Sequence, residues 1–222
     1  ALALTDHGNA NGLAYQVLHA KKMKEAGKDF KPIFGCEAYF IPSVANWKED
    51  YTKAREDSKK KKSLDDVQSG ATIENEASKK AMKSILNRRS HLILLAQNQE
   101  GLKNIFKMIS RSYSGDNYYR YPRVDYAMLK KHSEGVIAAS ACLGGVYAGN
   151  YWQNRDKGED AVLSAFRNTT QKMQSIFGDR WYGELQWNNV PEQHELNRYI
   201  IQMHHEFGID LISTADSHYY SP

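Results

Sequence analysis

A chain of 222 residues, 41% hydrophobic and 25% charged, is long enough to bury a sizeable core and has the balance of an ordinary globular protein. No apolar run approaches the roughly 20 residues of a membrane helix, no secretory leader is visible, and two cysteines, Cys36 and Cys142, are too few for a disulfide framework. The expected setting is therefore reducing and cytoplasmic, with no membrane partner. The formal net charge of +4 does not by itself imply nucleic acid, because six basic and two acidic side chains sit in one run, "KAREDSKKKK" at 53–62.

In chain order, "LALT" (2–5) reads as a strand. Residues 10–26 have helical spacing, with Leu13, Val17 and Leu18 on one face, and stop at Gly27 with Pro32 beyond. "IFGCEAYFI" (33–41) is a second strand. Residues 43–90 then form a polar insertion. Its basic run is followed by Asp65, Asp66, Glu74 and Glu76, then by Lys79, Lys80, Lys83, Arg88 and Arg89. Blocks of opposite sign cancel locally, which fits a solvated loop better than a DNA track. "HLILLA" (91–96) is a strand, and residues 100–112 a helix through Leu102, Ile105, Phe106 and Ile109.

The stretch "RSYSGDNYYRYPRVDY" (111–126) interleaves Arg111, Arg120 and Arg123 with five tyrosines. That mixture suits single-stranded nucleic acid, and equally a tyrosine-rich loop shaped by Pro122. "GVIAAS" (135–140) is a strand, and a helix over 161–177 carries Val162, Phe166, Met173, Ile176 and Phe177 to its stop at Gly178. "WYGELQW" (181–187) is a strand. A helix over 192–207 places Leu196, Ile200, Met203 and Phe207 together before Gly208, and "IDLIST" (209–214) is the last strand.

Strands alternating with helices predict an α/β fold with a parallel sheet under helices. "TDHGNANG" has two glycines, but not at the spacing of a dinucleotide or phosphate loop. This favours a (β/α) barrel, with functional residues at the C-terminal strand ends. One domain over 1–222, with the insertion at about 43–90, is the expected organisation.

Metal-ligand residue types gather where the barrel reading expects them. His7 ends the first strand, Glu37 lies in the second, His91 opens the third and Cys142 follows the fourth. Asp216 and His218 follow the last. Together they suit zinc, manganese or iron. Singly, each has an ordinary explanation: a structural histidine at 91, a small buried hydrophobe at 142, a helix cap at 216. Glu37 inside "FGCEAYF" resists one, because an unpaired carboxylate in an apolar strand is costly. Six ligand types on five strands point to a cation cluster that binds phosphate oxygens and lowers the pKa of a bridging water. His19, His132, His194, His204 and His205 receive no role.

"ALTDHGN", "GCEAYF", "HLILLAQNQEGLKNIFKMIS", "YYRYPRVDYAMLKKHSEGVIAASACLGG", "FGDRWYGELQWNN" and "ISTADSHYYSP" stand in an order and spacing that resemble the PHP (polymerase and histidinol phosphatase) domain. More narrowly they look like its form at the N-terminus of the alpha subunit of bacterial DNA polymerase III. The resemblance spans the chain apart from the insertion. It implies a distorted seven-stranded (β/α) barrel holding up to three divalent metal ions, zinc first and manganese second. Carried over, the ligands are His7, Glu37 (bridging), His91, Cys142, Asp216 and His218, with Asp6 and Glu184 orienting neighbours.

The resemblance also implies that a strand with a His-x-His pair precedes Ala1, and that the polymerase segments follow Pro222. The chain is thus expected to be a fragment lacking the first strand, poorly occupied by metal and without activity alone. The intact protein would be a DNA-directed DNA polymerase, with DNA and other replisome subunits as partners. This domain would supply a metal-dependent phosphoesterase, in some relatives a 3′–5′ exonuclease. The alternatives are a free-standing phosphatase of the histidinol phosphatase kind and a purely structural brace.

Overall fold

The computed structural model of the chain describes residues 1–65, 80 and 82–218. The expected charge blocks at Asp66, Glu74, Glu76 and Lys79 lie outside the described residues. The central strands are β1 (Leu2–Leu4), β2 (Pro32–Phe40), β3 (Ser90–Ala96), β4 (Tyr118–Tyr119), β5 (Tyr121–Val124), β6 (Val136–Ala139), β7 (Trp181–Gln186) and β8 (Asp210–Thr214). They form one mixed sheet in the order β4-β5-β2-β3-β6-β7-β8, with β1 also paired to β2. The short β4–β5 pair, inside the tyrosine-rich stretch, is the part that strand propensity did not reveal.

The sheet is not all parallel. β3 runs antiparallel to both neighbours, with Glu37 opposite Ile93 and Tyr39 opposite His91 on one side and Ile93 opposite Ala139 on the other. The pairs β1–β2, β2–β5, β6–β7 and β7–β8 are parallel. The reason lies in the long connection between β2 and β3. A chain that leaves a sheet and returns at the same end has to run back antiparallel, whereas parallel strands need a crossover from end to end.

The helices are α1 (Leu13–Glu25), α2 (Val44–Asp65), α3 (Gln99–Ser112), α4 (Tyr126–Lys131), α5 (Val146–Asn154), α6 (Glu159–Phe177) and α7 (Pro191–Phe207). Alternation along β2 sends Cys36, Ala38 and Phe40 into the main core with Leu92 and Leu94 of β3. The facing helices supply Ile105 and Met108, Phe166 and Met173, and Leu196, Ile200 and Met203. Each large side chain buried there stabilises by about 1.5–3 kcal/mol. The apolar faces expected for α6 and α7 are those that pack.

Helix α1 differs from expectation. It buries Leu13 and Gln16, while Val17 and Leu18 are more than half exposed. Its tie to the sheet is polar: the Gln16 amide donates to the carbonyls of Leu2 (2.8 Å) and Ile33 (3.3 Å). The helix lies against the edge formed by the three-residue β1 and the start of β2, where Val17 and Leu18 stay on the exposed side.

The insertion is not simply a solvated loop. Residues 44–65 are helical, since Lys, Arg and Glu are good helix formers whatever their net charge. A satellite core of Ile41, Val44, Trp47 and Leu86 packs its two flanks together. The "PRVD" run of the sequence fastens it. Arg123 is fully buried and donates to the carbonyls of Leu86 (2.6 Å), Tyr119 (2.8 Å), Tyr121 (3.2 Å) and Arg88 (3.3 Å), with Trp47 stacked 4.2 Å away. Asp125 accepts from Met128 N at the start of α4 (3.0 Å) and from Val44 N at the start of α2 (3.1 Å). One carboxylate therefore caps two helices.

Helix α3 begins under the Asn98 cap, whose side chain accepts from Gly101 N at 2.9 Å. A Cβ on Gly101 would fall on the Gly135 carbonyl. Gly→Ala at a compatible site usually stabilises by about 0.4–1 kcal/mol. Here Gly101→Ala is expected to destabilise by at least about 2 kcal/mol, lowering Tm by about 4–8 °C. Thermal unfolding followed by circular dichroism checks this, and an unchanged or raised Tm would contradict the packing described.

Candidate metal centre

After β1 the chain stays in register with β2. Glu37 N donates to Asp6 O (3.0 Å) and Gly8 N to Glu37 O (2.8 Å), so His7 lies beside Glu37. The turn that follows needs Gly8, which has φ 68°; a Cβ there would meet Pro122 and Tyr39 at 2.9 and 3.1 Å. His91 reaches the same place because β3 is antiparallel, so the residue that opens it stands at the end where β2 and β6 finish. A donor atom from each of His7, Glu37 and His91 lies within 4.8 Å of the others. The Glu37 carboxylate spans them, with Oε1 2.6 Å from His91 Nδ1 and Oε2 3.7 Å from His7 Nδ1.

Two further groups close on this trio. Cys142 Sγ is 3.6 Å from His91 Nδ1. The loop carrying it, "SACLGG", turns through Ala141 at φ 62° and accepts His91 N on the Gly144 carbonyl (2.8 Å). Gly144 permits the approach, since a Cβ there would sit 3.2 Å from the His91 ring. His218 Nε2 comes within 3.4 Å of His7 Nε2. That contact joins the loop after β8 to the loop after β1, so the sheet is curled into a partial barrel with the site at its mouth. Asp216, at φ 49°, keeps its carboxylate 3.8 Å from His218 Nδ1 and lies outside the trio.

The two residues expected to orient neighbours do different things. Asp6 accepts from Gly12 N at 2.6 Å and so fixes the loop between β1 and α1. Glu184 is buried, accepting from Thr214 at the end of β8 (2.5 Å) and from Gln186 at the end of β7 (3.0 Å). Burial raises its pKa, with the charges of Asp216 and Glu37 adding to the effect. Its Oε2 is buried without a partner, as is Nδ1 of His7. An orphaned His7 Nδ1 3.7 Å from the Glu37 carboxylate, with His91 and its neighbour Cys142 alongside, is what a cation would satisfy, so the donor set fits a divalent metal of the zinc or manganese type.

Sequence reasoning passed over Tyr39 and Arg89. The Tyr39 ring lies parallel to that of His7 at 6.0 Å and 5.6 Å from that of His91. Arg89 sits 3.9 Å over Tyr121 and 5.4 Å from Tyr39. The strand alternation that put Glu37 inward puts Tyr39 inward too, a signal available from the sequence. Cys36, by contrast, is buried in the core, and desolvation pushes its thiol up to about 12.

Without metal, the Cys142 sulfur first and Glu37 next raise the His91 pKa from 6.5 to about 9. A histidine whose folded pKa is raised adds stability that is full below pH 6.5 and lost as pH climbs through about 9. In the presence of a chelator, the Tm gap between the wild type and His91→Gln should be widest below that window and narrow across it. A gap that widens with rising pH would show that His91 is not held between these two groups.

Comparison with known proteins extends the geometry. The PHP domain family model matches residues 1–188, which include His7, Glu37, His91, Cys142 and Glu184. The chain is 35% identical to "DNA polymerase III subunit alpha" of Aquifex aeolicus over 222 residues, 100% of this chain and 16% of that protein. It is 36% identical to the protein of the same name from Borreliella burgdorferi, over 98% of this chain and 15% of that one. The Thermus aquaticus protein is 32% identical over 99% of this chain and 14% of its own length. The chain thus spans about a sixth of the curated relatives it matches, and the Aquifex aeolicus alignment also takes in the stretch around Asp216 and His218. Among the described residues no helix is long and apolar enough to cross a membrane. From the matched span and the shared motifs, the chain belongs to the PHP domain family.

Proposed function

We propose that this chain is the metal-binding phosphoesterase domain of a replicative DNA polymerase of the alpha-subunit kind. DNA would be its substrate class, and replisome proteins its partners. The observation that supports the reading most is the convergence of His7, Glu37 and His91 in a chain similar over its whole length to named polymerase subunits. Glu37, with one oxygen toward each histidine, would bridge two cations. His91 with Cys142 would complete one site, and His7 with His218 and Asp216 would serve the neighbouring ones. A thiolate in the first favours zinc over magnesium.

When bound, divalent cations supply Lewis acidity toward phosphate oxygens and toward an attacking water. The chain's own residues do the rest. Glu37 and His91 fix the spacing of the cluster, while Glu184 holds the Thr214 hydroxyl and with it the end of β8, from which Asp216 and His218 depart. Tyr39 closes one side of the mouth and limits water there.

Two measurements test the proposal, on this chain and on a longer polypeptide that contains it. Elemental analysis should find that Cys142→Ser loses part of the bound zinc, while Cys36→Ser, whose side chain packs in the core, keeps it. Equal metal content in both variants would remove Cys142 from the ligand set. Incubation of the longer polypeptide with a 5′-labelled single-stranded oligonucleotide should release 3′ nucleotides only when metal is bound. Turnover of histidinol phosphate with no action on the oligonucleotide would favour a small-molecule phosphatase instead.

A further inference from the structure

We propose that Arg89, stacked on Tyr121 at the rim of the His7–Glu37–His91 cluster, anchors a backbone phosphate of single-stranded DNA adjoining the phosphate at the cluster. This rests on the phosphoesterase reading above and adds a strand-binding subsite to it. Arg89 stands two residues before His91, and its guanidinium lies 3.9 Å over the Tyr121 ring and 5.4 Å from that of Tyr39. Tyr39 in turn faces the rings of His7 and His91. Only one aromatic ring therefore separates the guanidinium from the candidate metal ligands.

This cation is held but not neutralised. Among the described residues its one hydrogen bond is from Nη1 to the Asn87 carbonyl (2.9 Å), and its Nε is buried without a partner. With Nη1 on the Asn87 carbonyl and Nε buried, Nη2 is the exposed guanidinium nitrogen left to donate among the described residues, and planar N–H donors of this kind suit phosphate oxygens. Among the described residues the neighbouring cation is not neutralised by a carboxylate either. Arg123 is surrounded by the carbonyls of Leu86, Arg88, Tyr119 and Tyr121, and its pKa falls to about 10 through burial and then through the charge of Arg89. Two close guanidiniums create a field that attracts an anion.

The placement is also rigid. The four carbonyls held by Arg123 belong to the two segments that carry Arg89 and Tyr121, so one buried side chain fixes both halves of the stack. A subsite needs such support behind the groups that touch the ligand. The arginine–tyrosine stretch thus acquires a division of labour: Arg123 supports, Tyr121 orients, and the contact is made by an arginine from outside the stretch.

The test is fluorescence anisotropy of labelled dT12 with the chain in a chelator, so that neither metal nor hydrolysis enters, repeated over a range of salt. Each phosphate contact contributes a slope of about −0.7 to log K against log salt for single strands. Arg89→Gln should weaken binding about tenfold or more and flatten that slope by about 0.7. Arg89→Lys, which keeps the charge but not the planar stack, should keep the slope and lose affinity. Lys24→Gln, an exposed lysine of α1, gives the effect of charge loss alone. Equal slopes for Arg89→Gln and Lys24→Gln would overturn the proposal. So would Arg89-dependent binding of inorganic phosphate with no Arg89 dependence for dT12, the mark of a free-anion site. Metal analysis of the wild type without chelator reports on the phosphoesterase reading separately, since failure there leaves the salt slopes unaffected.

Discussion

The carboxylate of Glu37 is the constraint around which the mouth of the sheet is organised. It is buried on an interior strand whose flanking residues, Cys36 and Ala38, point into the apolar core. A charge in that position is tolerated only with partners at hand, and the backbone geometry supplies them from both sides. The chain after β1 is bonded to Glu37 through its own N–H and C=O, which delivers His7. The antiparallel start of β3, opposite Tyr39, delivers His91. Gly8 stands where a Cβ would press on Pro122 and Tyr39, and Gly144 where one would crowd the His91 ring.

The same economy governs the insertion. A helix as polar as α2 has little apolar surface with which to hold itself against the body. Trp47 and Val44 provide a small cluster, and two charged side chains of a single tetrapeptide do the remainder. Arg123 gathers four carbonyls that would otherwise be left open, and Asp125 satisfies N–H groups at the starts of α2 and α4. A buried cation and a half-buried carboxylate of this kind are worth keeping because removing one strands several backbone partners at once.

Much of this was legible in the sequence, and the gaps have physical causes. Six strands announced themselves as apolar runs, and the helices α1, α3, α6 and α7 by their helical spacing. β4 and β5 are two and four residues long, and α4 only six, too short for any periodicity to emerge. Helix α1 exposes Val17 and Leu18 because burial depends on what lies beneath a face, which its own sequence does not encode. The candidate ligands could be read from residue type and position, since Glu37 had no ordinary explanation. Arg89 could not. It looked like one more charge in a polar run, and its setting depends on a stack with a residue 32 positions later.

The direction of β3 could have been read as well. Every other ligand type follows its strand or lies within it, while His91 comes before its apolar run. If all are to meet at one mouth, the strand that begins with its ligand has to point the other way. The polar insertion is then no accident of length: an excursion that starts and finishes at the mouth is what an antiparallel β3 requires. Arg123, by holding the carbonyls of Leu86 and Arg88 at the last residues of that excursion, also sets where His91 begins. The anchoring of the insertion and the geometry of the candidate metal centre are therefore one structural problem, solved by the same few buried charges.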